Sequence, residues 1–311
     1  MSGVSAPAAA ARPRIALALG SGAAKGLAHI GAIEALEAAG FAIVAIAGSS
    51  MGALVGGIHA AGRLGIYRDW VTSLAKMDVL RLVDWTLSGP GLIKGERIIA
   101  ALRELVGDVD IEQLAIPFTA VATDIERQRE VWISSGSLFE AIRASIAIPT
   151  LFHPQILHGR RLVDGGLLNP VPVTPLLRER FDYLVVVSVD GPAEAAPPPP
   201  EAPPRGPYRQ KIAALVEQLL GRGSALALAH EPGRMELMGQ ALDLMQANLA
   251  HLRLAAYRPD LLIEIPRNAC AMYEFYRAEE MIALGRARAE RAIAAWRGPG
   301  GATALGGLPP R

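Results

Sequence analysis

The sequence has little of several features that would narrow its function at once. Cys270 is the only cysteine among 311 residues, so no internal disulfide can form, which fits a reducing compartment. Lys and Arg exceed Asp and Glu by only one, 31 against 30, so no basic surplus points to a nucleic-acid partner. No group of His, Cys and Asp residues has the spacing of metal ligands. We therefore expect no metal and no cofactor.

The N-terminus also lacks the basic start and leucine-rich centre of a secretory signal peptide. We interpret residues 1–13 as a disordered leader and the Gly/Pro-rich residues 298–311 as a disordered tail. Residues 14–297 then form a single domain, interrupted by a Pro-rich insertion at about 191–207 and a helical segment at about 208–257. The expected location is the cytoplasm, with peripheral contact at the inner membrane surface left open. The oligomeric state is also left open.

The chain is rich in apolar residues: 51% of its residues are hydrophobic and 20% are charged. Residues 41–62 contain no charged side chain, which is typical of a membrane span. The centre of this stretch, however, is Gly-Ser-Ser-Met-Gly, and the apolar residues before and after it have different periods. We interpret it as a buried parallel strand, a sharp turn and a helix.

A serine stands at the tip of that turn, in the G-x-S-x-G pattern of a nucleophile elbow. The pattern consists of Gly48, Ser49, Ser50, Met51 and Gly52. Glycines flank the serine because the turn brings the strand and the helix too close together for side chains. The hydroxyl of Ser50 is then pushed out of the sheet, above a helix N-terminus that offers unpaired N–H groups and a positive dipole.

A second glycine-rich turn precedes the first one in the chain. Residues 14–19 predict a strand, which leads into Gly20, Ser21, Gly22, Ala23, Ala24, Lys25 and Gly26 and then into a helix. Such a turn directs several backbone N–H groups at one point. A dinucleotide fingerprint would need glycine at position 25, and a P-loop would need Ser or Thr after the lysine. The remaining interpretation is an oxyanion hole beside Ser50, because strands joined by one helix are usually neighbours in a parallel sheet.

The rest of the chain predicts further elements of an α/β domain. Helix-forming residues at 64–83 and 93–105, separated by a turn at 88–91, suggest a cap beside the site. The other predicted strands are 116–125, 130–133, a hairpin of 155–157 and 161–163, 183–189 and 261–265. The other predicted helices are 137–146, 209–220, 235–253 and 277–296.

Asp164 precedes two glycines, Gly165 and Gly166. An acid in this position is usually a turn residue whose carboxylate accepts backbone hydrogen bonds. For Asp124 we keep only the interpretation as a turn residue. For Asp164 a catalytic role is also possible from the sequence.

Taken together, these motifs resemble the bacterial branch of the patatin-like phospholipase family. The family pattern is a Gly-rich loop ending in a basic residue and glycine, then G-x-S-x-G, then D-G-[GA]. Further stretches are also similar to it, among them VATDIERQREVW, RASIAIP and DGGLLNPVPV. The resemblance covers about residues 14–189 and 243–291.

The resemblance implies a three-layer α/β/α patatin-like fold with a central, mostly parallel sheet. It also implies a lipid acyl hydrolase whose substrate is a lipid or another acyl ester. Ser50 would be the nucleophile, Asp164 its base, and the loop amides around Gly22 and Ala23 the oxyanion hole. Lys25 matches the family's basic position, and no chemistry is assigned to it. A carboxylate is a weak base, so its site must raise its pKa or aim the proton well.

Two other classes of protein stay open at this point. An α/β-hydrolase would need a histidine, for which the candidates are His153, His158, His230 and His251. A non-catalytic binding or regulatory protein could retain the fold and both motifs.

Overall fold

The computed structural model describes residues 12–84, 86, 91–194 and 234–298. The strands are β1 (Arg14–Leu19), β2 (Ala42–Ser49), β3 (Gly91–Ile93), β4 (Phe118–Asp124), β5 (Arg129–Ile133), β6 (Thr150–Phe152), β7 (Gln155–Leu157), β8 (Arg160–Asp164), β9 (Tyr183–Gly191) and β10 (Leu261–Pro266). The α-helices are α1 (Ala28–Ala38), α2 (Met51–Ala60), α3 (Leu64–Ser73), α4 (Lys76–Leu82), α5 (Glu96–Val106), α6 (Leu138–Ser145), α7 (Arg234–Tyr257) and α8 (Ala278–Arg297).

An eight-stranded sheet organises these elements. Its strand order is β10-β9-β1-β2-β4-β8-β7, and β5 pairs with β4 outside this path. The five strands from β10 to β4 are parallel, whereas β8, β7 and β5 pair antiparallel. The expected mixed, mostly parallel sheet is therefore confirmed, and so is the direct pairing of β1 with β2.

Alternation of large and small residues along β1 gives the sheet two buried faces. Ile15, Leu17 and Leu19 point into the larger core, which also contains residues of α1, α2, α6 and α8. Ala16 and Ala18 point into a smaller core, covered by the 3-10 helix Thr174–Arg178 and the C-terminal part of α7. Helices on both faces of the sheet give the three layers that the resemblance implies.

The largest helix contact of the bigger core depends on two glycines. A Cβ atom on Gly31 of α1 would lie 1.9 Å from the carbonyl oxygen of Ile282, and one on Gly285 of α8 would lie 1.9 Å from that of Ala28. No side chain fits at either point. The two helices therefore cross with their backbones in contact.

The segment around β3 corrects the sequence prediction. Ile93 was expected to begin a helix, but it ends β3, and α5 starts at Glu96. β3 pairs in parallel with β6, which the sequence analysis did not predict, to form a second, two-stranded sheet. The short length of both strands explains the omission, because three residues carry no visible alternation.

The other described elements agree with the predicted ones to within a few residues. Ser137 caps α6 by accepting a hydrogen bond from Glu140 N, and β7 and β8 form the expected hairpin, turned at His158 and Gly159. Most of the leader, most of the Pro-rich insertion, the predicted helix 209–220 and most of the tail lie outside the described residues.

The chain divides into two compact units, residues 1–193 with 244–311, and residues 194–243. Of the second unit the structure describes Glu194 and residues 234–243, which are helical. The single domain expected for residues 14–297 stays a prediction. No helix in the described part of the chain is long and apolar enough to cross a bilayer.

The close helix crossing makes a prediction about stability. Gly285→Ala should lower the free energy of unfolding by about 3 kcal/mol, because the added methyl group overlaps backbone atoms that cannot rotate away. Gly65→Ala is the matched control, since Gly65 lies in α3 and an added Cβ meets nothing within 4 Å. It should stabilise the helix by about 0.5–1 kcal/mol. Urea unfolding of both variants measures the difference, and equal effects would contradict the close contact.

Candidate active site

The candidate site lies where two strands meet end to end along β4. β2 runs parallel to β4 and ends with Ser49 opposite Val121. β8 runs antiparallel to β4 and ends with Asp164 opposite Ala122, the next residue. Both strands are on the same side of β4, because β5 occupies the other side at these positions. The register of the sheet thus brings the residues that follow β2 beside the end of β8.

Ser50 occupies a sharp turn between β2 and α2. Its backbone has φ 54° and ψ −123°, a conformation that non-glycine residues rarely adopt. A Cβ on Gly48 would lie 2.3 Å from Gly52 O, and a Cβ on Gly52 would lie 2.1 Å from Leu19 O. The flanking glycines are therefore needed for close backbone approach, as the sequence pattern predicts. Ser50 is also the N-cap residue of α2, so its hydroxyl lies at the positive end of the helix dipole.

The structure brings Ser50 and Asp164 into direct contact. Ser50 Oγ donates a hydrogen bond to Asp164 Oδ2 at 2.6 Å, and Gly166 N donates one to Asp164 Oδ1 at 2.7 Å. Asp164 therefore has both features considered for it, since one carboxylate oxygen orders the turn and the other contacts the serine. Ser50 is 4% exposed and Asp164 is 2% exposed.

Burial changes the acidity of this carboxyl group. Removal from water raises the pKa of Asp164 from 3.8 to about 6, and the hydrogen bonds from Ser50 and Gly166 only partly oppose the rise. A carboxylate with this pKa is a stronger proton acceptor than an ordinary aspartate and is still ionised at neutral pH. The site thus meets the condition that a Ser–Asp pair requires of its base.

Ser145, which the sequence analysis did not single out, fixes the backbone of Ser50. Ser50 N donates to Ser145 Oγ at 2.9 Å, and Ser145 Oγ donates to Val121 O at 2.6 Å. The hydroxyl thereby links the strained turn to β4. Its only sequence signal is its place in the stretch RASIAIP, which implies no role for the residue.

The glycine-rich loop contacts both the turn that carries Ser50 and the turn that follows Asp164. An added Cβ on Gly26 would contact Met51 Cγ at 2.4 Å, and one on Gly166 would contact Ser21 Oγ at 2.8 Å. The 3-10 helix Ala23–Leu27 follows Gly22, and Ala23 has φ 46°. Ala24 N donates to Met272 O.

Two backbone donors of this loop are unused. Within the part of the chain that the structure describes, neither Gly22 N nor Ala23 N has a hydrogen-bond partner. Both residues are partly exposed, so these N–H groups are open to water or to an incoming acceptor. These are the two amides that the family resemblance implies for an oxyanion hole, and that role stays a prediction.

The side chains around the loop are held by neighbouring elements. Lys25 Nζ lies 3.8 Å from Asp190 Oδ1 at the end of β9, which gives the buried lysine an ion-pair partner. Ser21 Oγ donates to Gln246 Oε1 of α7 at 3.3 Å, and Arg253 of the same helix donates to Leu168 O. α7 therefore packs beside the loop and beside the turn that follows Asp164.

Three of the four candidate histidines lie in the described part of the chain, and none of these three hydrogen-bonds to Ser50 or Asp164. His153 Nε2 contacts Gly91 O, His158 lies in the β7–β8 turn, and His251 is exposed on α7. His230 lies outside the described residues. Asp124 accepts hydrogen bonds from Arg127 N and its guanidinium, which confirms its interpretation as a turn residue. Among the described residues, no cluster of His, Cys, Asp or Glu side chains could hold a metal ion.

Comparison with known proteins gives the family. The family model described as patatin-like phospholipase matches residues 17–177, a span that contains the Gly-rich loop, Ser50 and Asp164. An uncharacterized NTE family protein of Mycobacterium bovis is 42% identical, over 91% of this chain and 92% of that protein. The neuropathy target esterase sws of Drosophila persimilis is 34% identical over 51% of this chain, which corresponds to 11% of the much longer insect protein.

The solved structure of VipD from Legionella pneumophila aligns over 91% of this chain and 66% of that one, with a TM-score of 0.39 and 13% identity. This similarity is too distant to support a conclusion. The family model covers more than half of the chain, and the mycobacterial relative covers nearly all of it. The chain belongs to the patatin-like phospholipase family.

Proposed function

We propose that the protein is a serine lipid acyl hydrolase that cleaves carboxylic esters through a Ser50–Asp164 dyad. The observation that carries the proposal is the 2.6 Å hydrogen bond from Ser50 Oγ to a buried carboxylate whose pKa is about 6. Membership of a family described as patatin-like phospholipase, and a relative named as an esterase, support the same reaction class.

The first half-reaction uses each feature of the site. Ser50 Oγ attacks the acyl carbonyl carbon while its proton moves to Asp164 Oδ2, the oxygen to which it is already hydrogen-bonded. The carbonyl oxygen becomes an oxyanion that accepts hydrogen bonds from Gly22 N and Ala23 N. Each such donor contributes about a hundredfold to a thousandfold in serine hydrolases. Collapse of the tetrahedral intermediate expels the alcohol, which takes the proton from Asp164.

The second half-reaction repeats these steps with water. Asp164 accepts a proton from the water that attacks the acyl-serine, and Ser50 leaves as its hydroxyl. Asp164 therefore acts as base and then acid in each half-reaction, which suits a pKa close to neutral pH.

A triad that includes histidine has no support in the described part of the chain. Asp164 Oδ1 contacts Gly166 N and Oδ2 contacts Ser50 Oγ, so no imidazole lies between acid and serine. A binding protein that retained the fold would have no need for a strained Ser50 or a desolvated carboxylate, both of which cost stability.

Covalent labelling tests the proposal. A fluorophosphonate probe should form an adduct on Ser50 in the wild type and none on Ser50→Ala, as read by peptide mass mapping. Asp164→Asn should label about 10²–10⁴-fold more slowly, because the general base is lost. Ser135→Ala, which changes an exposed serine, should label like the wild type. Because Ser50 is almost fully buried, labelling is repeated in detergent micelles, and absence of an adduct in both conditions would contradict the proposal.

The pKa of Asp164 predicts the pH dependence of activity. The carboxyl group must be ionised to accept a proton, so kcat/KM for a soluble ester should rise with pH through about 6 and then level off. An acid limb near pH 4 would show that burial does not tune this carboxyl group. The rate of probe labelling against pH gives an independent reading of the same pKa.

The same pKa predicts a cost in stability. Since the folded pKa of Asp164 is raised above 3.8, its contribution to stability is full below pH 3.8 and is lost as pH rises through about 6. The difference corresponds to about 3 kcal/mol at most. Asp164→Asn should therefore be more stable than the wild type at pH 8, and this advantage should shrink toward pH 4.

Asp124→Asn is the matched control with the opposite sign. Hydrogen bonds, first from Arg127 N, lower the pKa of Asp124, so its carboxylate stabilises the fold above its unfolded pKa and stops doing so as pH falls. That variant should be less stable than the wild type at pH 8. Urea unfolding at pH 8 and pH 4 measures both, and destabilisation of Asp164→Asn at pH 8 would refute the desolvation account.

A further inference from the structure

A buried histidine contacts the first residue of the glycine-rich loop. His29 is in the first turn of α1, has no solvent exposure, and places Nε2 2.8 Å from the carbonyl oxygen of Gly20. A carbonyl oxygen can only accept, so Nε2 carries the proton and donates it. Nδ1 is then a bare acceptor, and it has no hydrogen-bond partner among the described residues.

This imidazole stays neutral at working pH. Burial lowers the pKa of His29 from 6.5 to about 4, and the hydrogen bond to Gly20 opposes that change only partly. His29 therefore cannot act as an acid or base in the reaction between pH 5 and 9. What it offers is one fixed N–H donor.

The hydrogen bond holds one end of a single peptide group. The carbonyl of the Gly20–Ser21 peptide accepts from His29, and the N–H of the same peptide donates to Pro170 O at 2.9 Å. Because a peptide group is planar, fixing its two opposite ends fixes its rotation about the chain. α1 supplies one contact and the segment after Asp164 supplies the other.

The next two N–H groups along the chain are those of Gly22 and Ala23, the unpaired donors of the candidate oxyanion hole. If this peptide loses a contact, the ψ angle of Gly20 and the φ angle of Ser21 can change, and any change that the two do not cancel shifts the following peptides, which carry both donors. An oxyanion donor works only within about 2.7–3.1 Å of the developing charge. A small rotation of this peptide is therefore enough to weaken the hole.

An ordinary packing role does not explain this choice of residue. The neighbours of His29 in the same helix that fill the core are aliphatic, namely Ile30, Ile33 and Leu36. An aliphatic side chain would avoid the unpaired nitrogen but would leave the carbonyl of Gly20 without the donor that His29 supplies, so the hydrogen bond, and not space filling, accounts for the histidine. The imidazole stands at the point where α1 faces the loop.

We propose that His29 is a positioning residue for the oxyanion hole, acting through the Gly20 carbonyl. The proposal rests on the proposed hydrolase function. It concerns the orientation of the Gly22 and Ala23 donors and assigns no contact with substrate.

The test compares three substitutions of His29. The amide nitrogen of Gln reaches about as far as Nε2, whereas that of Asn reaches only as far as Nδ1, and Leu fills space without a donor. For hydrolysis of p-nitrophenyl butyrate we expect His29→Gln to keep kcat within about threefold of the wild type. His29→Asn and His29→Leu should lose about tenfold to a hundredfold in kcat, less than the loss of a whole donor, with KM changed less than threefold.

Urea unfolding of the same variants separates positioning from packing. We expect His29→Leu and His29→Gln to unfold at similar urea concentrations, because Leu removes the unpaired nitrogen but leaves the Gly20 carbonyl without its donor, and yet we expect His29→Leu to be the slower enzyme. A His29→Leu variant with wild-type kcat would overturn the proposal. Loss of kcat in all three variants in proportion to their loss of stability would overturn it too.

The wild type and Ser50→Ala are measured alongside. If the wild type hydrolyses the ester no faster than Ser50→Ala, the proposed function fails, and the role of His29 fails with it. If the wild type shows Ser50-dependent hydrolysis and His29→Leu matches it, the function stands and only the positioning role is wrong.

Discussion

The site depends on one carboxylate that is held out of water while it remains hydrogen-bonded to a serine. Among the described residues, Asp164 receives only two hydrogen bonds, from Ser50 Oγ and Gly166 N, and no cation of that part of the chain contributes to its pKa. Placing a positive charge beside it would lower the pKa and make the group a weaker base. Leaving it with no hydrogen bond would raise the pKa further and keep the group protonated at neutral pH. The observed surroundings lie between these two cases.

Bringing that carboxylate to Ser50 constrains the backbone more than it constrains the side chains. Two strands must end at neighbouring positions of β4, and the chain must turn away from each end at once. An added Cβ on Gly165 would lie 2.1 Å from Val121 O, and those on Gly48 and Gly52 would also overlap backbone atoms. The glycines of both motifs thus have one physical reason, the close approach of main chains, and the strain at Ser50 is tolerated because Ser145 and α2 hold the turn.

The sequence predicts a feature where the backbone geometry restricts which residue types can occupy a position. It does not predict a feature that depends on how two strands align with each other. Ser50, its glycines and the strand before it could be predicted, because a tight turn excludes side chains at fixed positions. The contact of Asp164 with Ser50 could not be derived from the residues alone, because it depends on how β2 and β8 align along β4. The β3–β6 sheet was missed because its strands are three residues long. Ser145 and His29 were missed for another reason: a serine or a histidine within an apolar helix looks the same whether it is packed or holds the backbone of a site.

Two buried ionisable groups belong to this region, Asp164 beside Ser50 and His29 beside the glycine-rich loop, and burial disfavours the charged form of each. Burial therefore raises the pKa of Asp164 and lowers that of His29. The consequences differ because burial moves the pKa of the carboxyl group up toward neutral pH and moves the pKa of the imidazole down, away from it. The pKa of the carboxyl group rises to about 6, so this group can take and return a proton near neutral pH. The pKa of the imidazole falls to about 4, so this group stays a neutral hydrogen-bond donor. Burial thus keeps Asp164 titratable near neutral pH and keeps His29 uncharged, and the proposed ester cleavage uses both outcomes, since it needs a mobile proton at Ser50 and a fixed peptide beside the oxyanion.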